Sequence, residues 1–204
     1  MTPSEERVQF TSQGLVIEGL LGRRPGTRGM IVTHPHPLYG GDMYNNVVAA
    51  VTDTYAKAGY TTLRFNFRGV GGSQGQYDHG IGEQHDIRAA LSWLARLGTV
   101  SIDVVGYSFG AWVTALGAQG LDTAQQLILI APPVAFLDFA KVHALPQLAL
   151  VIVGGEDSIA GVEDIRTAMA TWNSQARLRI IEGADHFFSG KTDLLCREIK
   201  AILS

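Results

Sequence analysis

Residues 104–112, Val-Val-Gly-Tyr-Ser-Phe-Gly-Ala-Trp, decide the fold, because an apolar run stops at a Gly-x-Ser-x-Gly motif and a helical pattern follows at once. At a boundary between a strand and a helix, this motif turns the chain sharply and exposes its serine. Gly106 and Gly110 would leave the room that such a turn needs. The pentapeptide alone is weakly specific in a chain with 24 glycines, and an ordinary helix cap is the alternative. Its position favours Ser108 as a displayed nucleophile.

Outward from this motif, short apolar strands alternate with amphipathic helices from about residue 30 onward. Predicted strands cover residues 30–33, 61–67, 101–105, 127–130, 148–153 and 177–181, and predicted helices contain residues 47–55, 87–94, 111–118, 165–172 and 194–202. Apolar strands without polar alternation, each followed by a helix, indicate a mainly parallel sheet with helices on both faces. A hairpin over residues 8–21 predicts an antiparallel edge. The sequence thus predicts one α/β domain over residues 1–204.

Composition excludes several classes of function. The 204-residue chain has a net charge of −3 and no run of Lys or Arg, so no nucleic-acid partner is expected. The most apolar stretch, residues 127–131, is far shorter than the ~18 residues of a membrane span. Residues 1–7 are polar and acidic and do not resemble a signal peptide. Because Cys196 is the single cysteine, we predict a cytoplasmic protein, with Cys196 packed as a small hydrophobic side chain.

A serine nucleophile needs a base, and a carboxylate to orient that base. His186 follows the last predicted strand, and Asp157 follows the strand before it, which gives the order Ser, Asp, His. The ends of parallel strands meet at one edge of a sheet, where ligands bind. We therefore predict that Ser108, Asp157 and His186 act together. Glu156 is the competing carboxylate, whereas Asp185 is too close to His186 in sequence to turn back onto it.

Other motifs carry weaker signals. Gly190-Lys191-Thr192 lacks the earlier glycine of a phosphate-binding loop, and residues 69–75 match a dinucleotide fingerprint imperfectly. His34-x-His36 offers two metal ligands where a zinc site usually needs three or four. The sequence therefore predicts no metal and no organic cofactor.

When the Gly-x-Ser-x-Gly motif is considered together with other loop motifs, the chain resembles the α/β-hydrolase superfamily over nearly its whole length. More narrowly it resembles the small bacterial lidless serine hydrolases of the dienelactone-hydrolase-like and esterase-like branch. The resemblance rests on residues 34–43 (HPHPLYGGDM), 64–73 (RFNFRGVGGS), 106–110 (GYSFG), Asp157 and 185–188 (DHFF).

The resemblance implies that Ser108 is the nucleophile, His186 the general base and then acid, and Asp157 the orienting carboxylate. It also implies an oxyanion hole from two backbone N–H groups, one of Phe109 and one of the loop after Thr33. In that loop the sequence departs from the common His-Gly pattern. Pro35 and Pro37 have no N–H, which leaves His36 or Leu38. The position of His36 in the loop after His34 favours its N–H as the second donor of the oxyanion hole.

Only residues 132–146 lie where larger members carry a cap domain, so we expect an open site. Five side chains are candidates for an apolar acyl pocket: Tyr39, Phe109, Phe136, Ile159 and Phe187. The expected reaction is hydrolysis of a small-molecule carboxylic ester or thioester through an acyl-enzyme. Amide or peptide hydrolysis, and a non-catalytic binding protein on this scaffold, are the alternatives. The sequence does not determine the acyl chain length or whether the leaving group is an alcohol or a thiol. It also leaves open whether the chain forms a homodimer.

Overall fold

The computed structural model describes residues 5–203. Most of the segment 1–7, which was predicted not to be a signal peptide, therefore lies outside the described residues. The strands are β1 Glu6–Ser12, β2 Leu15–Gly22, β3 Arg28–Thr33, β4 Thr61–Phe65, β5 Ser101–Tyr107, β6 Gln126–Ile130, β7 Leu148–Gly154 and β8 Arg177–Ile181. The helices are α1 Asn46–Lys57, α2 Gly82–Arg96, α3 Phe109–Gly117, α4 Val162–Trp172 and α5 Thr192–Leu203.

All eight strands form one sheet in the order β1-β2-β4-β3-β5-β6-β7-β8. Strands β3 to β8 pair in parallel, whereas β1 and β2 form an antiparallel hairpin that joins the sheet at β4. The predicted parallel sheet with an antiparallel edge is therefore confirmed. At the opposite edge lies β8, where Arg177 and Arg179 are exposed.

The core fills both faces of the sheet. Helix α1 packs beside α5, and α2 packs beside α3 on the other face. The central strands β5, β6 and β7 are buried almost end to end, as expected for parallel strands covered on two sides. Cys196 on α5 is partly buried, in agreement with its predicted packing role. Among the described residues, every helix is too short or too polar to cross a bilayer.

Several element boundaries differ from the sequence prediction, and two of these differences have a clear cause in hydrogen bonding. Strand β4 ends at Phe65 and not at Phe67, because the Phe67 N–H leaves the ladder and donates to the His34 ring. Helix α3 begins at Phe109, two residues earlier than predicted, because the Ser108 carbonyl already accepts the N–H groups of Ala111 and Trp112.

The connection from β6 to β7, residues 131–147, consists of turns and bends and contains no helix or strand. This is the position where the sequence predicted that a cap domain would be missing, and none is present. The carboxyl ends of β5, β7 and β8 are therefore left accessible from one side.

Candidate active site

Ser108 lies on a strained turn between β5 and α3. Its backbone has φ 53° and ψ −117°, a conformation that non-glycine residues rarely adopt. A Cβ at Gly106 would lie 2.6 Å from the Ala111 Cα, and a Cβ at Gly110 would overlap the Thr33 side chain and lie 2.9 Å from the His34 carbonyl oxygen. The two glycines are thus required by close backbone packing, as the motif predicted.

The structure brings the side chains of Ser108, His186 and Asp157 together. Ser108 Oγ is 2.8 Å from His186 Nε2, and His186 Nδ1 is 2.8 Å from Asp157 Oδ2. Because Nδ1 faces a carboxylate, it carries the ring proton, and Nε2 is left to accept from the serine hydroxyl. All three side chains are buried.

The turns after β7 and β8 hold this arrangement. The other oxygen of Asp157 accepts the N–H groups of Ile159 and Ala160, at 2.8 and 2.7 Å, which fixes the carboxylate. The Tyr107 hydroxyl donates to the His186 carbonyl at 3.1 Å and anchors the histidine turn.

The competing carboxylates are used differently. Asp185 is half-buried and accepts N–H groups from Ser189 and Phe187, and these hydrogen bonds lower the pKa of its carboxyl. Glu156 is exposed to solvent. Of these three carboxylates, Asp157 is the one that is hydrogen-bonded to the His186 ring.

The loop after β3 lies beside Ser108 and begins a short 3₁₀ turn, Pro37–Tyr39. Its His36 carbonyl accepts the N–H groups of Tyr39 and Gly41, at 3.1 and 3.0 Å. The Leu38 N–H is engaged by the His36 ring at 3.2 Å. Within residues 5–203 the N–H groups of His36 and Phe109 have no such partner. Of the two N–H groups that the sequence left open, that of His36 is therefore free to bind an oxyanion.

His34 is a buried structural residue. Its Nδ1 lies 2.7 Å from the Pro35 carbonyl oxygen, and its Nε2 lies 3.0 Å from the Phe67 nitrogen. Burial lowers the pKa of His34 to about 4, so the ring is neutral at neutral pH. In the described part of the chain no three His, Cys, Asp or Glu side chains are grouped to hold a metal ion.

A cleft of about 310 Å³ opens above Ser108 and His186. All five candidate pocket residues line it: Tyr39, Phe109, Phe136, Ile159 and Phe187. Three of them form an exposed aromatic rim, since Tyr39, Phe136 and Phe187 are 75%, 62% and 58% exposed. The mouth of the cleft is therefore open and apolar.

Sequence analysis missed part of this lining. Pro133 and Leu137 come from the β6–β7 connection, Asn45 caps α1, and Tyr107 ends β5. The short β6–β7 connection could have indicated Pro133 and Leu137, because it lies beside the nucleophile and lines the cleft. No periodic pattern marks which of its side chains point inward.

Comparison with known proteins agrees with this fold. The sequence profile of the X-Pro dipeptidyl-peptidase (S15) family matches residues 18–177. An uncharacterised protein of Rickettsia prowazekii (strain Madrid E) is 38% identical over 183 residues, which are 85% of this chain and 77% of that protein. An alpha-beta serine hydrolase homologue from Coxiella burnetii is 33% identical, with 100% of both chains covered and a TM-score of 0.91.

A serine hydrolase without a lid from Xanthomonas campestris is 32% identical, with 97% of this chain and 93% of that chain covered and a TM-score of 0.88. The resemblance to lidless serine hydrolases is thus shown at the level of the whole fold.

Proposed function

We propose an activity for this chain on the premise that it belongs to the α/β-hydrolase superfamily and, within it, to the X-Pro dipeptidyl-peptidase (S15) family. The proposed reaction is hydrolysis of a carboxylic ester or thioester through an acyl-enzyme on Ser108. The observation that carries this proposal is the continuous chain of hydrogen bonds from Asp157 through His186 to Ser108, with both links at 2.8 Å.

Acylation begins when Ser108 Oγ attacks the substrate carbonyl carbon while its proton passes to His186 Nε2. The imidazolium that forms is paired with Asp157. The oxyanion of the tetrahedral intermediate accepts the N–H groups of Phe109 and His36, and each donor contributes roughly 3 kcal/mol of transition-state stabilisation. The N-terminus of α3 adds a favourable field at the same point. His186 then protonates the departing alcohol or thiol.

Deacylation repeats these steps with water in place of serine. His186 removes a proton from the water as it attacks the acyl carbonyl, and the same two N–H groups hold the second oxyanion. Collapse releases the carboxylic acid, and the proton returns from His186 to Ser108. The scheme uses no metal ion and no organic cofactor.

The family match supports a second candidate, release of X-Pro dipeptides. Such an enzyme must bind the free ammonium group of its substrate close to the scissile bond, and a carboxylate is the usual partner for that charge. The cleft lining found among residues 5–203 is apolar and aromatic apart from Ser108, Asn45 and two histidines. This lining favours an uncharged acyl group, and therefore an ester or thioester, over a peptide N-terminus.

The first experiment is intact mass measurement after incubation with a fluorophosphonate. Wild type should gain one adduct, and Ser108→Ala should gain none. Asp157→Asn should react far more slowly, because losing the orienting carboxylate costs about 10⁴ in rate in a comparable triad. The matched control Glu156→Gln should react as wild type does, since its carboxylate does not contact the histidine. Unlabelled wild type from the same preparation would then be assayed on p-nitrophenyl esters, acyl thioesters and Ala-Pro-p-nitroanilide.

The outcomes separate the alternatives. A folded wild type that gains no adduct would indicate a binding protein on a hydrolase scaffold. An adduct together with cleavage of the anilide alone would indicate a dipeptidyl-peptidase. An adduct with ester or thioester turnover supports the proposal.

A further inference from the structure

The loop of residues 34–41 contains two imidazole rings whose hydrogen bonds require opposite tautomers. His34 Nε2 accepts the Phe67 N–H, so the proton of the neutral ring is on Nδ1, which donates to the Pro35 carbonyl. His36 Nδ1 accepts the Leu38 N–H, so its proton is on Nε2, which faces the Tyr77 hydroxyl at 3.4 Å. Burial lowers the pKa of both histidines and thus favours the neutral rings.

The His34 ring binds the peptide group that joins Pro35 to His36, and the His36 ring binds the backbone of the same loop two residues further on, at Leu38. The peptide between Pro35 and His36 is trans, so its C=O and its N–H point in opposite directions. When His34 binds the carbonyl oxygen, it fixes the direction of the His36 N–H on the far side. A hydrogen bond to the carbonyl also polarises the peptide and makes its N–H a better donor.

The rest of the loop removes the remaining freedom of this peptide. A Cβ at Gly41 would overlap the Pro35 carbonyl group, so the loop closes tightly on it. The His36 ring packs between the rings of Tyr39 and Phe109, each with centroids 4.8 Å away. Phe109 supplies the other N–H in the proposed mechanism. One ring therefore connects the two segments that carry the two donors.

We propose that His34 and His36 are positioning residues, held as opposite neutral tautomers, which together aim the His36 N–H at the oxyanion of the substrate. Neither ring exchanges a proton with substrate in this role. The inference rests on the proposed function, because it assigns a purpose to the loop only if an oxyanion forms at Ser108.

A matched pair of variants at position 34 tests the first ring. The amide nitrogen of His34→Asn can take the place of Nδ1 and donate to the Pro35 carbonyl. The amide oxygen of His34→Gln can take the place of Nε2 and accept the Phe67 N–H. We expect the Gln variant to lose about 30-fold in kcat with little change in KM, and the Asn variant to lose much less, because the oxyanion donor matters only in the transition state.

The second ring is tested by His36→Asn and His36→Ala. Both variants lack the ring, but asparagine keeps a side-chain acceptor for the N–H two residues ahead. The Asn variant should therefore be about fivefold more active than the Ala variant, again in kcat. For both pairs, the inhibition constant of a trifluoromethyl ketone, which forms an oxyanion on the serine, should rise in parallel with the loss of kcat/KM.

Thermal unfolding of each variant separates positioning from general destabilisation. If a His34 variant does not fold, the His36 pair decides. Suppose that wild type reacts with the fluorophosphonate and, without label, turns over substrate. If the Asn variants then have no higher kcat than His34→Gln and His36→Ala, the positioning roles alone are overturned. A wild type that gains no fluorophosphonate adduct and turns over no substrate overturns the proposed function, and this inference with it.

Discussion

The two segments that meet at Ser108 are held in different ways. The nucleophile turn, residues 106–110, is fixed by backbone strain and by the absence of side chains at Gly106 and Gly110. The histidine loop, residues 34–41, also packs closely at Gly41, but hydrogen bonds from its imidazole rings to its own backbone set its direction. A turn that is fixed by close packing cannot accept an added methyl group. A loop that is fixed by hydrogen bonds can accept a side chain with the same donor or acceptor, but it is sensitive to protonation of the imidazole rings. Added methyl groups should therefore disturb the nucleophile turn most, and changes of pH the histidine loop.

The largest effect is expected from Gly106→Ala in the nucleophile turn. The new methyl group would lie 2.6 Å from the Ala111 Cα and 2.7 Å from the Gly110 carbonyl oxygen, and neither atom belongs to a flexible side chain. We expect the free energy of unfolding to fall by more than about 3 kcal/mol, as for severe overpacking. Urea denaturation followed by circular dichroism measures this change.

Gly117→Ala in the same region is the matched control. Gly117 is the last residue of α3, and the nearest atom to its new methyl group would be Gln84 Cγ at 3.2 Å, on a flexible side chain. This variant should change stability by less than about 1 kcal/mol. Equal losses at the two positions would show that the nucleophile turn is not limited by steric fit.

The histidine loop should instead respond to pH. Burial lowers the pKa of His34 from 6.5 to about 4 in the folded protein, where Asp42 and His36 are the nearby charged or titratable groups. Between these pH values the unfolded chain binds a proton that the folded protein does not. Stability should therefore be lost as pH falls from 6.5 to about 4, by up to about 3 kcal/mol. Urea denaturation at several pH values across this range measures the loss.

His34→Gln provides the reference for this measurement, because it cannot titrate. Other groups, such as the buried carboxylates of Glu83 and Asp103, titrate in both proteins and cancel in the difference. The difference in unfolding free energy between wild type and variant should shrink as the solution is acidified. A difference that stays constant with pH would mean that folding does not lower the pKa of His34.

The smallest effect concerns the β6–β7 connection, which is held by a single side-chain bond from the nucleophile helix. Trp112 Nε1 donates to the Asp138 carbonyl at 2.7 Å. Trp112→Phe should cost about 1 kcal/mol, one net hydrogen bond, and should raise KM for long acyl chains that touch Leu137. Trp93→Phe, where the ring packs on Phe10 far from the cleft, controls for ring truncation. Equal KM values in the two variants would exclude this role for Trp112.

Much of the fold was predictable because each local pattern agrees with the sheet. Buried strands such as Leu127–Ile130 are uniformly apolar, and the faces of α1 and α4 repeat at helical spacing. The end of β4 was not predictable from its own residues. It depends on the His34 ring, which is distant in sequence and captures the Phe67 N–H. Tertiary hydrogen bonds of this kind leave no local signal.

The candidate site shows the same division. Ser108, Asp157 and His186 could be chosen from strand ends and chain order, and the structure brings them within hydrogen-bonding distance. The oxyanion loop could be narrowed only to His36 or Leu38, because the choice depends on a ring nitrogen that occupies the Leu38 N–H. The roles of all these groups in catalysis stay predictions until the variants are measured.

The exposed arginines of β8 have a consequence for association. An edge strand offers unpaired backbone groups to the edge of another molecule, which is a common route to aggregation. Arg177 and Arg179 place two positive charges along that edge, and Glu198 pairs with Arg179 at 3.0 Å. Two β8 edges that approached each other would bring their Arg177 charges together, whereas the charge of Arg179 is offset by Glu198. The sheet is therefore protected against edge-to-edge growth, and this protection should weaken as salt screens the charges.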